Sequence, residues 1–114
     1  MTSPLRLPRL LLAAMVLALV SAAVARGGGT RPERHEIAMR VFAFEPAALE
    51  ARAGDTLVWT NHDVVPHTAT SDDGSLDSGM IAPGASWTFV VPEVEHLTYI
   101  CIFHPTMTGA ISVR

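Results

Sequence analysis

From His35 onward the chain is written in short alternating runs separated by turn residues. Ile37, Met39, Val41 and Ala43 alternate with Ala38, Arg40, Phe42 and Phe44, so both faces carry apolar residues. A period of two marks a strand. Glu45-Pro46 interrupts the pattern, and Leu49-Glu50-Ala51-Arg52 is a second short run closed by the turn signal Ala53-Gly54-Asp55. Thr56-Leu57-Val58-Trp59-Thr60-Asn61 is rich in β-branched and aromatic residues and reads as a strand. A long polar connection follows over 62–79, with Asp72-Asp73-Gly74-Ser75 as its exposed tip, and Ala82-Pro83-Gly84 makes another turn. Ser86-Trp87-Thr88-Phe89-Val90-Val91 predicts a further strand, ended by Pro92. Thr98-Tyr99-Ile100-Cys101 and Ala110-Ile111-Ser112-Val113 predict the last two, flanking a loop. No stretch beyond the N-terminal leader holds a helical period, so the pattern predicts an all-β sandwich or barrel.

The leader changes the picture of where the protein works. Arg6 and Arg9 precede an apolar run from Leu10 to Val20, followed by Ala23-Val24-Ala25. A basic start, a short apolar stretch and a small-x-small site are the marks of a secretory signal peptide, and the run is short for a membrane span, which needs about 20 apolar residues. The expected division is a signal peptide at 1–25, a glycine-rich flexible tether at 26–34 and one folded domain at 35–114. An uncleaved N-terminal anchor is the alternative. Either way the expected location is outside the cytoplasm, periplasmic or extracellular, with no membrane span after cleavage.

Charge and cysteine usage narrow the chemistry. With the leader removed, six arginines stand against eleven acidic residues, a net charge of −5, and lysine is absent throughout. That balance argues against nucleic acid or an anionic membrane surface as partner and favours a basic or neutral one. The chain has a single cysteine, so it has no internal disulfide, and an unpaired cysteine in an exported protein calls for another role. Cys101 lies three residues before His104, which lies three residues before Met107. Two consecutive four-residue turns, each bringing its ends within about 7 Å, would gather all three donors. Pro66-His67-Thr68 offers a second histidine. Two imidazoles, a thiolate and a weak thioether form a donor set that copper selects.

These residues resemble the small cupredoxins, the plastocyanin, azurin and amicyanin group of blue copper proteins. Gly54 to Asn61 with Pro66-His67-Thr68 is similar to the segment bearing the family's first histidine ligand. Asp77-Ser78-Gly79, Pro83-Gly84 and Trp87-Thr88-Phe89 resemble its middle strands. Tyr99-x-Cys101-x-x-His104-x-x-Met107-x-Gly109 resembles its C-terminal ligand loop in the compact, amicyanin-like form. The resemblance implies a Greek-key β-sandwich holding one copper ion through His67, Cys101 and His104, with Met107 axial. It implies a monomeric one-electron carrier serving a redox partner protein such as a cytochrome, an oxidase or a dehydrogenase. It also implies that His104 reaches the surface through an apolar patch, for which Pro66, Met80, Ile81, Phe103 and Pro105 are candidates.

Two departures stand out. The family often has Asn after the first histidine and Ser or Thr after the cysteine, whereas this chain has Thr68 and Ile102. The side-chain link between the two ligand segments is therefore expected to be missing or altered. His96 stands where glycine is usual and reads as part of a solvated turn. His62 is an odd offset from His67, so in extended chain it points to the opposite face. Trp59 and Trp87 read as core residues. No nucleophile, general base or open coordination position is evident, so catalysis is not expected. The competing readings are a copper delivery or storage protein with the same donors, and a metal-free sandwich.

Overall fold

The computed structural model describes residues 31–114 together with Thr2, so the expected leader lies outside the described residues. Seven strands form: β1 (Arg34–Arg40), β2 (Ala43–Glu45), β3 (Ala48–Ala51), β4 (Thr56–Asn61), β5 (Ser86–Val90), β6 (His96–Cys101) and β7 (His104–Val113). They make a four-stranded sheet in the order β2-β1-β4-β5 and a three-stranded sheet in the order β3-β7-β6. Both sheets are mixed, because β1 runs parallel to β4 and β3 parallel to β7 while the other pairs are antiparallel. The expected all-β class holds, with no helix among the described residues. None of their elements is a helix long and apolar enough to cross a membrane.

The inward faces pack into one core. Ile37 and Met39 of β1, Phe44 of β2, Leu57 and Trp59 of β4 and Tyr99 of β6 are all buried in it. Trp59 is fully enclosed, with its ring 5.5 Å from that of Tyr99 and 5.4 Å from that of Trp87. Each large side chain removed from water in this way contributes about 1.5–3 kcal/mol. Tyr99 is buried deeply enough that desolvation pushes its hydroxyl up to about 12.

The alternation read through residues 37–44 is broken by a turn. Arg40 pairs with Ala43, leaving Val41 and Phe42 as a two-residue hairpin turn with φ of 50° and 57°. Positive φ at both central positions is the type I′ form that suits the twist of a hairpin. The turn carries Val41 to the surface, and Phe44 takes over the inward series. β1 also starts before the expected domain boundary. Glu33 and Arg34, placed in the tether by sequence, are fastened: Glu33 donates its N–H to Asp55 at 2.8 Å and its carbonyl accepts from Thr56.

Asp55 clasps this end of the sandwich. Its carboxylate accepts the N–H groups of Glu33 and Arg52 and lies 2.8 Å from Nε2 of His35. Those bonds, the Glu33 amide foremost, hold its pKa at about 2 instead of 3.8. A carboxylate depressed in the folded state contributes stability above its unfolded pKa, and that contribution is lost as pH falls through the folded value. Asp55→Asn is expected to flatten the loss of stability between pH 3.8 and about 2, measured by denaturant titrations across that range. Gly109 pairs with Tyr99 across β6 and β7, and a Cβ there would overlap Cζ and the hydroxyl of Tyr99. Gly109→Ala should therefore lower stability by about 1–3 kcal/mol through overpacking, read from thermal unfolding.

Candidate metal centre

The site is assembled from the ends of β4, β6 and β7 and the connection after β4. Asn61, the last residue of β4, is fully buried and satisfies several backbone groups at once. Its Nδ2 donates to the carbonyls of Val65 at 2.8 Å and Ile81 at 3.0 Å, and its Oδ1 accepts from the N–H of Asp63 at 2.9 Å. These bonds fold 61–65 into a tight loop. His67 follows directly, tied to Ile81 by a pair of backbone hydrogen bonds of 3.1 and 2.7 Å. Its side chain is completely enclosed.

Cys101 ends β6 and is also completely enclosed. A two-residue turn, Ile102-Phe103, brings His104 back opposite it at the start of β7. Cys101 Sγ lies 3.5 Å from Nδ1 of His67 and 3.7 Å from Nδ1 of His104, and it accepts the N–H of Thr68 at 3.3 Å. Thiolate and imidazole donors bond a tetrahedral or trigonal ion at about 2.3 Å and about 2.0 Å, which sets sulfur and nitrogen about 3.5–3.8 Å apart. The observed separations fall within that interval. All three donor atoms lie within 4.8 Å of one another.

The tautomer of His67 is dictated from its far side. Nε2 sits 2.7 Å from Asp63 Oδ2, and this carboxylate also accepts the N–H groups of Val41 at 2.7 Å and Phe42 at 2.9 Å. Burial opposes ionisation of Asp63, but hydrogen bonds from Phe42, from His67 and from Val41 outweigh it and hold its pKa below the usual value. An ionised Asp63 keeps the proton on Nε2, so Nδ1 presents a lone pair to the sulfur.

Met107 is buried in the core on β7, three residues past His104. It is reached without the expected second turn, because β7 already begins at His104 and Met107 follows in extended chain. The link between the two segments, expected to be missing or altered, is altered. Thr68 Oγ1 accepts the N–H of Ile102 at 2.9 Å, so the bridge from the first histidine segment to the cysteine segment is retained by a hydroxyl and a backbone amide. His62 and His96 are exposed and outside the donor cluster. Ile81, expected on the surface patch, is instead buried by its pairing with His67.

Sequence reasoning missed Asp63, Asn61 and Phe42. Asp63 was legible only as an acidic loop residue, although its offset of four from His67 in a turn-rich segment was a usable signal. A further group, Glu33, His35 and Asp55, lies within the same 4.8 Å limit. The hydrogen bonds that clasp the start of β1 account for it.

No family model matches the chain. Over 84 residues it is 31% identical to the chloroplastic plastocyanin of Tetradesmus obliquus and 29% identical to the plastocyanin of Scenedesmus fuscus. Each alignment takes in 62% of this chain, and it spans 58% of the first relative and 86% of the second. Among solved structures, the reduced state of an amicyanin mutant superposes with a TM-score of 0.64 at 25% identity, over 69% of this chain and 80% of that one. The Cu(I) form of another amicyanin mutant gives 0.68 at 22% identity, over 75% and 86%. The chain has a cupredoxin-like fold.

In this cupredoxin-like domain the donor cluster occupies one end of the sandwich, beside the β1–β2 turn, and the Asp55 clasp lies at the other end of β1 and β4. Asp63 links the turn to the first histidine. Residues that orient a ligating histidine through its second nitrogen usually affect metal affinity by about 10–100-fold. Asp63→Ala should weaken Cu(II) affinity within that range in a chelator competition, while His62→Ala leaves it unchanged. Equal affinity for Asp63→Ala and wild type would contradict the role given to Asp63.

Proposed function

We propose that the chain is a type 1 copper protein, a one-electron carrier rather than an enzyme. His67, Cys101, His104 and Met107 are the ligands of one copper ion per chain. The observation that carries this reading is the convergence of two imidazole Nδ1 atoms on a buried thiol sulfur, 3.5 and 3.7 Å away. A bound copper ion supplies the Cu(II)/Cu(I) couple.

The chain's own residues supply the rest. Cys101 gives up its proton on binding, since a thiolate is the ligand form, and the Thr68 amide stabilises the resulting charge. His67 is oriented by the contact of its Nε2 with Asp63. Met107, already enclosed, contributes a weak thioether without opening the site to water. The ligands come from segments tied together by Asn61, Thr68 and the β6–β7 ladder, so one geometry is kept in both oxidation states. His104 is half-buried and marks the exit to the surface.

The surface around that exit is apolar. Phe103 and Ile102 flank it in the turn, Met80 adjoins the His67–Ile81 pairing, and all three are more than half exposed. Phe42, which packs on the His104 ring, joins them. Exposed apolar patches of this kind serve protein contacts, here brief docking of a redox partner outside the cytoplasm, with the carrier acting as a monomer.

The test is the visible spectrum of purified protein with Cu(II). An intense visible charge-transfer band, bleached reversibly by ascorbate and abolished by Cys101→Ala, is expected. A colourless protein holding stoichiometric Cu(II) would contradict the reading and favour delivery or storage. Met107→Leu conserves volume and should cost under about 1.5 kcal/mol of stability. Losing a donor that favours Cu(II), the variant should keep its copper and show a raised reduction potential by voltammetry.

A further inference from the structure

The two imidazoles are oriented by different means. Nε2 of His67 is fixed by Asp63. Among the described residues no group hydrogen-bonds Nε2 of His104, although a ligating histidine usually has its second nitrogen held by a polar partner. What His104 has instead is a ring contact. The Phe42 centroid lies 4.8 Å from that of His104 with the planes at 74°, and 5.6 Å from that of His67 with the planes at 84°. The two imidazoles are themselves 5.1 Å apart at 70°. These are edge-to-face distances at which aromatic rings attract one another.

The backbone that delivers Phe42 is itself unusual. Val41 and Phe42 both occupy the left-handed region, and neither is glycine, asparagine or aspartate, the residues that enter it readily. Burial does not compensate for this strain, because Val41 is 78% exposed and Phe42 is 51% exposed. Asp63 stabilises the conformation by accepting both amides. The carboxylate that orients His67 therefore also holds the turn that carries Phe42 onto His104.

We infer that Phe42 is a positioning residue of the metal centre, its ring fixing the orientation of His104 where a hydrogen bond to Nε2 would otherwise do so. The inference rests on the reading of His67 and His104 as ligands. Asp63 then orients both imidazoles, one directly and one through the turn and the Phe42 ring.

The experiment compares wild type with Phe42→Ala and Phe42→Tyr, each loaded with one equivalent of Cu(II). It records visible and electron paramagnetic resonance spectra and the rate of copper transfer to an excess of chelator. Phe42 is half exposed in a surface turn, and far-ultraviolet circular dichroism of the metal-free forms checks that each variant folds. Phe42→Ala should change the copper spectra and release copper at least about tenfold faster, the lower end of the effect of losing an orienting partner. Phe42→Tyr, which keeps the ring, should restore both. If Phe42→Ala keeps the wild-type spectra and release rate, or Phe42→Tyr fails to restore them, the inference is overturned while the metal-centre reading stands. If wild type itself lacks the intense band, the metal-centre reading falls, and this inference with it.

Discussion

Three donor side chains are crowded together at one end of the sandwich, two of them where water does not reach. The sulfur of Cys101 and the Nδ1 atoms of His67 and His104 face one another within 4.8 Å, and both Cys101 and His67 are fully enclosed. Groups of this kind are costly to bury without compensation, because each must exchange its hydration for another partner. One thiol proton serves a single imidazole at most. A cation held by all three compensates them together, and the surrounding structure keeps the donors from drifting apart.

That restraint is distributed over hydrogen bonds leading back to the sheets. Asn61 folds the loop after β4 so that Asp63 and His67 approach from the same side. Thr68 ties the histidine segment to the cysteine segment twice, through its amide to the sulfur and through its hydroxyl to the Ile102 amide. The β6–β7 ladder, shifted in register between Ile100 and Cys101, brings His104 opposite the cysteine after two residues. Asp63 adds the β1–β2 turn to the same network. The centre is thus supported from both sheets, which keeps its geometry independent of the fluctuations of any single loop.

The strands with clear β-branched and aromatic content were legible in advance, as were the three residues that the fold brings together, His67, Cys101 and His104. Cys101, His104 and Met107 could be read from their local spacing, whereas His67, 34 residues from Cys101, came from the resemblance. What escaped was decided across the fold. The alternation of residues 37–44 gave no sign of a turn at Val41-Phe42, because neither residue favours positive φ and a distant carboxylate holds them there. The second turn expected between His104 and Met107 is extended strand, reached through a register shift against β6 that spacing alone does not show. Thr68 left the link between the two segments either missing or altered, and its hydroxyl serves the Ile102 amide, a backbone group present in any sequence. Ile81 looked like surface because its backbone pairing with His67 cannot be read from spacing.

The central claim is that Cys101, His67 and His104 bind one ion together. Copper K-edge X-ray absorption on wild-type protein carrying one equivalent of Cu(II) addresses it directly. The account predicts one sulfur neighbour at short distance and two imidazole nitrogens in the first coordination sphere. A sphere of nitrogen and oxygen alone, with no sulfur, would contradict it.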